Sequence, residues 1–299
     1  MELGHVDSAE GLDLSLPADD PITTSVLSTD PFPTHVRVGL PIWNKKEWVG
    51  GIYPPGTPPG NYLQPYGRIY DTVEVNSTFY HPPAPDAIAG WAESVPDDFS
   101  FLPKVWRQIS HVPDATTADV ARFVECVSAF GDRLGPCFLQ LPPHADLTWK
   151  RPLARLLDLL APEVELALEL RHPAWFSDTT TRRRLFAHLA ERRIGLVITD
   201  TAGRRDLVHM GVSAEFTLIR FKGQGFGPLD VARADDWVTR LASWSARGLK
   251  RAYFIAHERT DHEREGAPIA RRIGEGLRAR GIPVARAMTL PVDPQLGLL

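Results

Sequence analysis

Short apolar runs recur eight times along the chain, each bounded by glycine, proline or charge. They are His35–Pro41, Thr72–Ser77, Phe99–Lys104, Pro136–Leu141, Glu165–Leu170, Gly195–Asp200, Phe216–Phe221 and Arg251–Ala256. Near-continuous apolar runs of this length suit strands buried on both faces, as in a parallel sheet. Helical spacing fills most of the gaps. Val120, Phe123, Val124, Val127, Phe130 and Leu134 fall on one helix face between the third and fourth runs. Ser177-Asp178 provides an N-cap for a helix carrying Leu185, Phe186 and Leu189, which stops at Gly195. Trp237, Leu241 and Trp244 form a further apolar face, and Ile269, Ile273 and Leu277 another.

Eight strands alternating with helices predict an α/β fold, a single (β/α)8 TIM-type barrel over residues 35–299. A doubly wound open sheet is the competitor, but the first turn lacks the G-x-G-x-x-G fingerprint of its dinucleotide-binding form. A segment rich in Trp, Pro and Gly, residues 43–60, follows the first strand and reads as a rigid, ordered loop over the barrel mouth. Residues 1–34 show no sustained period and read as an acidic, poorly ordered N-terminal leader.

Active sites of such barrels lie at the C-terminal ends of the strands, and the polar residues of this chain concentrate there. The second run supplies Glu74 and Asn76, two apart and so on one face of a strand, with Tyr80 beyond. The third ends at Lys104, with Arg107 and His111 following, and the fourth carries Gln140. The fifth supplies Glu169, Arg171 and His172, with Trp175 close behind, and the sixth ends at Asp200. The seventh supplies Arg220 and Lys222, and the eighth His257 and Glu258. Buried carboxylates are costly without a partner, so Glu74 and Glu169 on apolar strands point to a site. Glu74, Glu169 and Asp200 are the candidate acid/base groups. Asn76, Tyr80, Lys104, Gln140, Arg171, His172, Trp175, Arg220, Lys222 and His257 are candidate substrate contacts. Ion pairs closing the top of the barrel are the structural alternative.

The charge balance narrows the ligand. The 299 residues carry a net charge of −4, 43% hydrophobic and 23% charged residues, ordinary for a globular chain. The leader holds seven acids and no Lys or Arg, so taking its −7 from the total of −4 leaves a body of +3. Four bases against three acids at the mouth favour a small anionic ligand, and nucleic acid is a further candidate partner. Gly223-Gln224-Gly225-Phe226-Gly227 follows two bases where barrels often bind phosphate through backbone N–H groups. No cofactor is expected. Glu74, Glu169, Asp200 and His257 are the weighed ligands of a divalent metal, but no local His pair supports them and the bases oppose a cation. Two cysteines, Cys126 and Cys137, fit neither a disulfide framework nor a zinc site and read as reduced thiols of a cytoplasmic protein. No secretory signal or membrane-length apolar stretch is expected to interrupt this picture.

Several segments together resemble the YecE-like proteins, domain-of-unknown-function family number 72. They are Val73–Tyr80 (VEVNSTFY), Trp91-Ala92, Phe101–Lys104, Leu134–Pro143 (LGPCFLQLPP), Glu169–Phe176 (ELRHPAWF) and Thr199–Asp206 (TDTAGRRD). The resemblance spans about residues 35–285 and implies a TIM-type barrel, but supplies no reaction. A similarity of relatives to endonuclease-IV-like barrels points towards nucleic acid, yet this chain lacks that His-rich metal set. It also has Phe254-Ile255-Ala256-His257-Glu258 where many relatives carry an Asn pair. Three functions stay open: an enzyme with an anionic, phosphate-bearing substrate, a non-catalytic nucleic-acid or metabolite binder, and a glycosidase-like carboxylate pair with Trp43, Tyr80 and Trp175 as sugar platforms.

Overall fold

Residues alternate between two apolar environments along every strand, and that alternation builds the fold. A computed structural model describes residues 4, 6, 8, 9, 11–27, 32–225, 227–257 and 266–286. Its eight parallel strands are β1 (His35–Leu40), β2 (Thr72–Val75), β3 (Ser100–Pro103), β4 (Cys137–Gln140), β5 (Leu166–Glu169), β6 (Gly195–Asp200), β7 (Phe216–Lys222) and β8 (Arg251–His257). They run in the order β3-β2-β1-β8-β7-β6-β5-β4. Isolated bridges Phe101↔Leu134 and Lys104↔Phe138 bring β3 against β4 and nearly close the barrel. One face of the strands fills the lumen with Leu102, Phe138, Ala167, Val197, Leu218, Tyr253 and Ile255. The other face packs Val36, Val73, Leu139, Leu168, Ile198, Ile219 and Phe254 under the surrounding helices.

The helices are α1 (Pro21–Val26) and α2 (Leu63–Ile69), then α3 (Ser77–Tyr80) and α4 (Pro85–Glu93), α5 (Arg107–Ser110) and α6 (Thr117–Ser128). They continue as α7 (Lys150–Leu160), α8 (Ala174–Ser177), α9 (Thr179–Glu191), α10 (Pro228–Ser245) and α11 (Gly266–Arg278). The predicted cap holds, with Asp178 accepting from the amides of Thr180 and Thr181 at the start of α9. The loop after β1 is ordered by aromatic packing: Tyr53 stacks on Tyr62 at 5.3 Å between ring centroids, and Trp43 meets Trp91 edge-on at 5.3 Å. No helix among the described residues is long and apolar enough to cross a membrane.

The leader, expected to be loose, is docked where it is described. Asp20 caps α1 and its amide donates to Met210 O at 3.1 Å. The Thr23 hydroxyl donates to the same carbonyl at 2.7 Å and accepts from Val212 N at 2.8 Å. Met210 sits at φ 52°, a left-handed conformation that costs energy for a residue with a side chain. Asp19 accepts from Arg240 at 2.6 Å, Arg247 at 2.5 Å and Trp244 Nε1 at 3.1 Å. Asp19 and Asp20 of the leader thus meet Arg240, Arg247 and Arg182 of the barrel, an acidic segment docked on a basic face.

Asp200, expected at the mouth as an acid/base group, lies on the other face of its strand. It ends β6 on the helix-facing side, one residue out of phase with Thr199. There it accepts from Trp237 Nε1 at 2.7 Å and pairs with Arg233 at 2.9 Å and Arg205 at 2.6 Å. Burial alone would raise its pKa, but Arg233 and Arg205 hold the carboxyl below the ordinary range. Asp200 therefore fastens α10 and the following turn to β6 and does not face the mouth. We expect Asp200→Ala to strand two guanidinium groups and cost about 3–5 kcal/mol, measured as a lower urea midpoint. Full wild-type stability in that variant would refute the clamp.

Candidate functional site

The strand ends assemble one charged layer above the apolar lumen, with Arg220 of β7 at its centre. The Arg220 guanidinium donates from Nε to Glu74 Oε1 at 2.6 Å and from Nη2 to Glu74 Oε2 at 3.0 Å. Its Nη1 donates to Glu169 Oε2 at 2.8 Å. Glu169 Oε1 accepts from Arg171 Nε at 2.8 Å and from the Thr199 hydroxyl at 3.3 Å. His257 Nε2 lies 3.0 Å from Glu74 Oε1. Below, the Phe138 ring lies 5.3 Å from the guanidinium carbon and separates the charges from the apolar interior.

Burial pushes the two carboxyls up, and their cationic neighbours more than reverse the effect. Arg220 and His257 hold Glu74 well below the carboxylate range. Arg171, Arg220 and Lys104 hold Glu169 at about 2. His257 goes the other way: burial and Arg220 depress it to about 4 against the pull of Glu74. It is neutral at pH 7, and its Nε2–H donates to Glu74.

Lys104, one residue past β3, faces the same layer. Its ammonium rests 4.1 Å from the centroid of Phe79. It makes no hydrogen bond or ion pair with the described residues, although the Glu169 and Glu74 carboxylates act on it through space. Burial and the neighbouring Arg220 lower its pKa to about 8, with Glu169 and Glu74 pulling the other way. Gln140 pairs in register with Glu169 and is 5% exposed, yet its Oε1 has no hydrogen-bond partner among the described residues.

Other predicted contacts lie elsewhere. β2 ends at Val75, because Asn76 turns into α3 with φ −74° and ψ −17°. Asn76 therefore leaves the face of Glu74 and donates to Pro41 O at 3.0 Å, tying β2 to the end of β1. Tyr80 is 70% exposed and stacks edge-on against Phe79. Trp175 is 2% exposed and donates to Ala145 O at 2.7 Å, so it is a core anchor. His172 Nδ1 accepts from Ala174 N at 3.2 Å at the start of α8. Lys222 is the exception: it ends β7 two residues beyond Arg220, in register with His257, and so shares the lumen phase of the layer. In the glycine loop, Gly223 N donates to His257 O at 2.8 Å and Gln224 N to Asp230 Oδ2 at 2.7 Å. Two of the loop's amides are thus bonded within the protein. Phe226 and Glu258 lie outside the described residues.

The weighed metal ligands do not share a centre, because Arg220 stands between Glu74 and Glu169 and Asp200 points away. Among the described residues no group of three or more His, Cys, Asp or Glu side chains could hold a metal ion.

Residues 37–291 match the family model described as protein of unknown function DUF72. The chain belongs to this family. It is 30% identical over 230 residues to UPF0759 protein YecE of Escherichia coli strain K12, covering 70% of this chain and 82% of the relative. To UPF0759 protein YunF of Bacillus subtilis strain 168 it is 25% identical over 202 residues, covering 63% and 70%. Its fold is similar to that of a DUF72 family protein from Enterococcus faecalis V583, with TM-score 0.63 and 17% identity over 81% of this chain and 95% of that one. A DUF72 family protein from Thermotoga maritima MSB8 gives 0.61 and 21%, over 82% and 99%. The DUF72 match begins after the docked leader and includes every residue of the charged layer.

Phe79 and Thr199 also border the charged layer of this DUF72 barrel, and the polar pattern of the strand ends does not select them. Phe79 carries no polar atom, although α3 returns it beneath Lys104. Thr199 was passed over for its more conspicuous neighbour Asp200, although alternation from the lumen residue Val197 selects it. His111 packs edge-on on Phe79 at 5.1 Å, and burial and Lys104 lower its pKa to about 4.

The central prediction concerns Arg220→Met. At pH 7 it leaves two buried carboxylates facing each other and should cost about 3–5 kcal/mol. The pH dependence fixes the sign. In the wild type a Glu169 pKa of about 2, against an ordinary 4.5, contributes stability that is present above 4.5 and lost as pH falls towards 2. In Arg220→Met, protonation instead relieves repulsion, so the deficit relative to wild type should shrink on acidification. A deficit independent of pH in urea melts would contradict this.

Proposed function

We propose that this DUF72 barrel is an enzyme for a small anionic substrate, with Lys104 as its proton-transferring group. The single observation behind this reading is that Lys104 is unbonded in a layer where the other central charges are paired. Counting Arg220, Arg171 and Lys104 against Glu74 and Glu169 leaves one positive charge, and an anion between Lys104 and Arg171 would neutralise it. Arg220, with three hydrogen bonds to carboxylates, belongs to the frame and not to the substrate.

The acid/base assignment changes with the electrostatics. A proton-transfer group works best with a pKa near the working pH. Glu74 and Glu169 are held as carboxylates, so neither carries a proton to give. Lys104, at about 8, does. The same fact weighs against the glycosidase alternative, which needs one carboxyl with a raised pKa as general acid. Gln140 Oε1, buried and without a partner, is an acceptor for a hydroxyl or amine of the substrate.

Binding of inorganic phosphate or of small carboxylates, followed by calorimetry, tests the reading. Lys104→Met should weaken the anion about 10–100-fold, the scale of a lost charge-assisted hydrogen bond. Wild-type affinity should fall as pH rises through about 8, where Lys104 loses its charge. Equal binding by wild type and Lys104→Met across that range would sink the proposal.

A further inference from the structure

The surroundings of Lys104 suit an amine nucleophile better than a simple proton carrier. Three features point the same way. The flat face of Phe79 lies against the ammonium, so one side of Nζ meets an apolar ring and water is excluded there. No acceptor among the described residues holds its N–H groups, so the nitrogen is not tied in an ion pair as Arg220 and Arg171 are. Nearby stand two carboxylates that cannot be protonated near neutrality, Glu74 and Glu169. A lysine screened from water and left without a partner is the kind that attacks carbonyl carbons.

We infer that Lys104 forms an imine with a carbonyl compound that also carries an anionic group and a hydroxyl, Arg171 taking the anion and Gln140 Oε1 the hydroxyl. This rests on the anionic-substrate reading above and names its substrate class. The neutral amine adds its lone pair to the carbonyl carbon, forming a C–N bond while the C=O π pair moves to oxygen. That oxygen takes a proton to give a carbinolamine, then leaves as water as the C=N bond forms. Overall, ammonium plus carbonyl gives iminium plus water. The charge on nitrogen is the same before and after, so the field of Glu74 and Glu169 that favours the ammonium also favours the iminium.

The neutral fraction supports the assignment. At pH 7 a lysine with a pKa of about 8 is about one-tenth neutral, whereas an ordinary lysine is neutral about once in three thousand. The chain also offers its own controls, because it has only six lysines, and Lys46 and Lys150 are exposed.

The test is reductive trapping of the wild-type protein with dihydroxyacetone phosphate, which carries a ketone, a hydroxyl and an anion. Sodium cyanoborohydride reduces any iminium to a stable secondary amine, and peptide mass mapping locates the adduct. We expect adduct at Lys104 at least tenfold above Lys46 and Lys150, half-maximal near pH 8, and none at that position in Lys104→Arg. Comparison among lysines of one folded molecule keeps the test valid even where a variant does not fold. Equal labelling of all three lysines, or no label at Lys104, overturns the imine. If Lys104 is not trapped but phosphate still binds in a Lys104-dependent manner, the imine falls and the anionic mouth stands. If neither occurs, both fall.

Discussion

A single guanidinium decides what the mouth of this barrel can be. Two carboxylates on β2 and β5 are buried above an apolar lumen, an arrangement that would be prohibitively unfavourable without a cation between them. Arg220 reaches both, with its planar fork matched to Glu74 and a third hydrogen bond to Glu169. A lysine in its place would offer a point charge but not this two-sided geometry. Because β1 and β8 separate β7 from β2, the bridge also ties together walls that do not pair directly. Structure and chemistry therefore depend on the same residue. Arg220 holds Glu74 and Glu169 as anions, and the role proposed for Lys104 rests on that fixed frame.

Much of this was legible in the chain, and alternation explains both the successes and the failures. Glu74, Gln140, Glu169, Lys104, Arg220 and His257 fall on lumen-facing positions when counted from apolar lumen residues such as Leu102, Phe138, Ala167, Leu218 and Ile255. Asn76 and Asp200 break the count. A strand continuing through residue 76 would set Asn76 beside Glu74, but helical dihedrals at Asn76 end it. Asp200 was chosen because it is the last polar residue of its run, although Val197 puts Thr199 on the lumen side. Its true partners, Arg233 and Trp237, lie one helical turn apart on α10, and together they anchor its carboxylate on the outer face. Charge alone marked the strand ends; only strand phase tells which side each residue serves.

Aromatic residues show the opposite error. Trp175 and Tyr80 were read as sugar platforms because large rings near a strand end often meet a ligand. One is sealed in the core by its hydrogen bond to Ala145, and the other projects into solvent. The ring that does meet the charged layer is Phe79, half-buried and so intermediate between the two in exposure. The four-residue α3 turns the chain back on itself, and no periodicity in so short a helix marks which side chain faces inwards.

The leader adds a constraint that lies outside the DUF72 match. Arg205 binds the Asp200 carboxylate with one nitrogen and the carbonyls of Leu14 and Ser15 with another. The Gly4 carbonyl accepts from Thr201 and Gly203, immediately after β6. Thr199, two residues before that contact, supports Glu169. The leader therefore grips the segment that continues from one wall of the charged layer. Among the described residues its Asp19 and Asp20 pair with Arg240, Arg247 and Arg182 around the outside of the barrel, away from the mouth. This division keeps a net negative chain with a positive mouth, and it follows from where each charge finds its partner, not from the sum of charges.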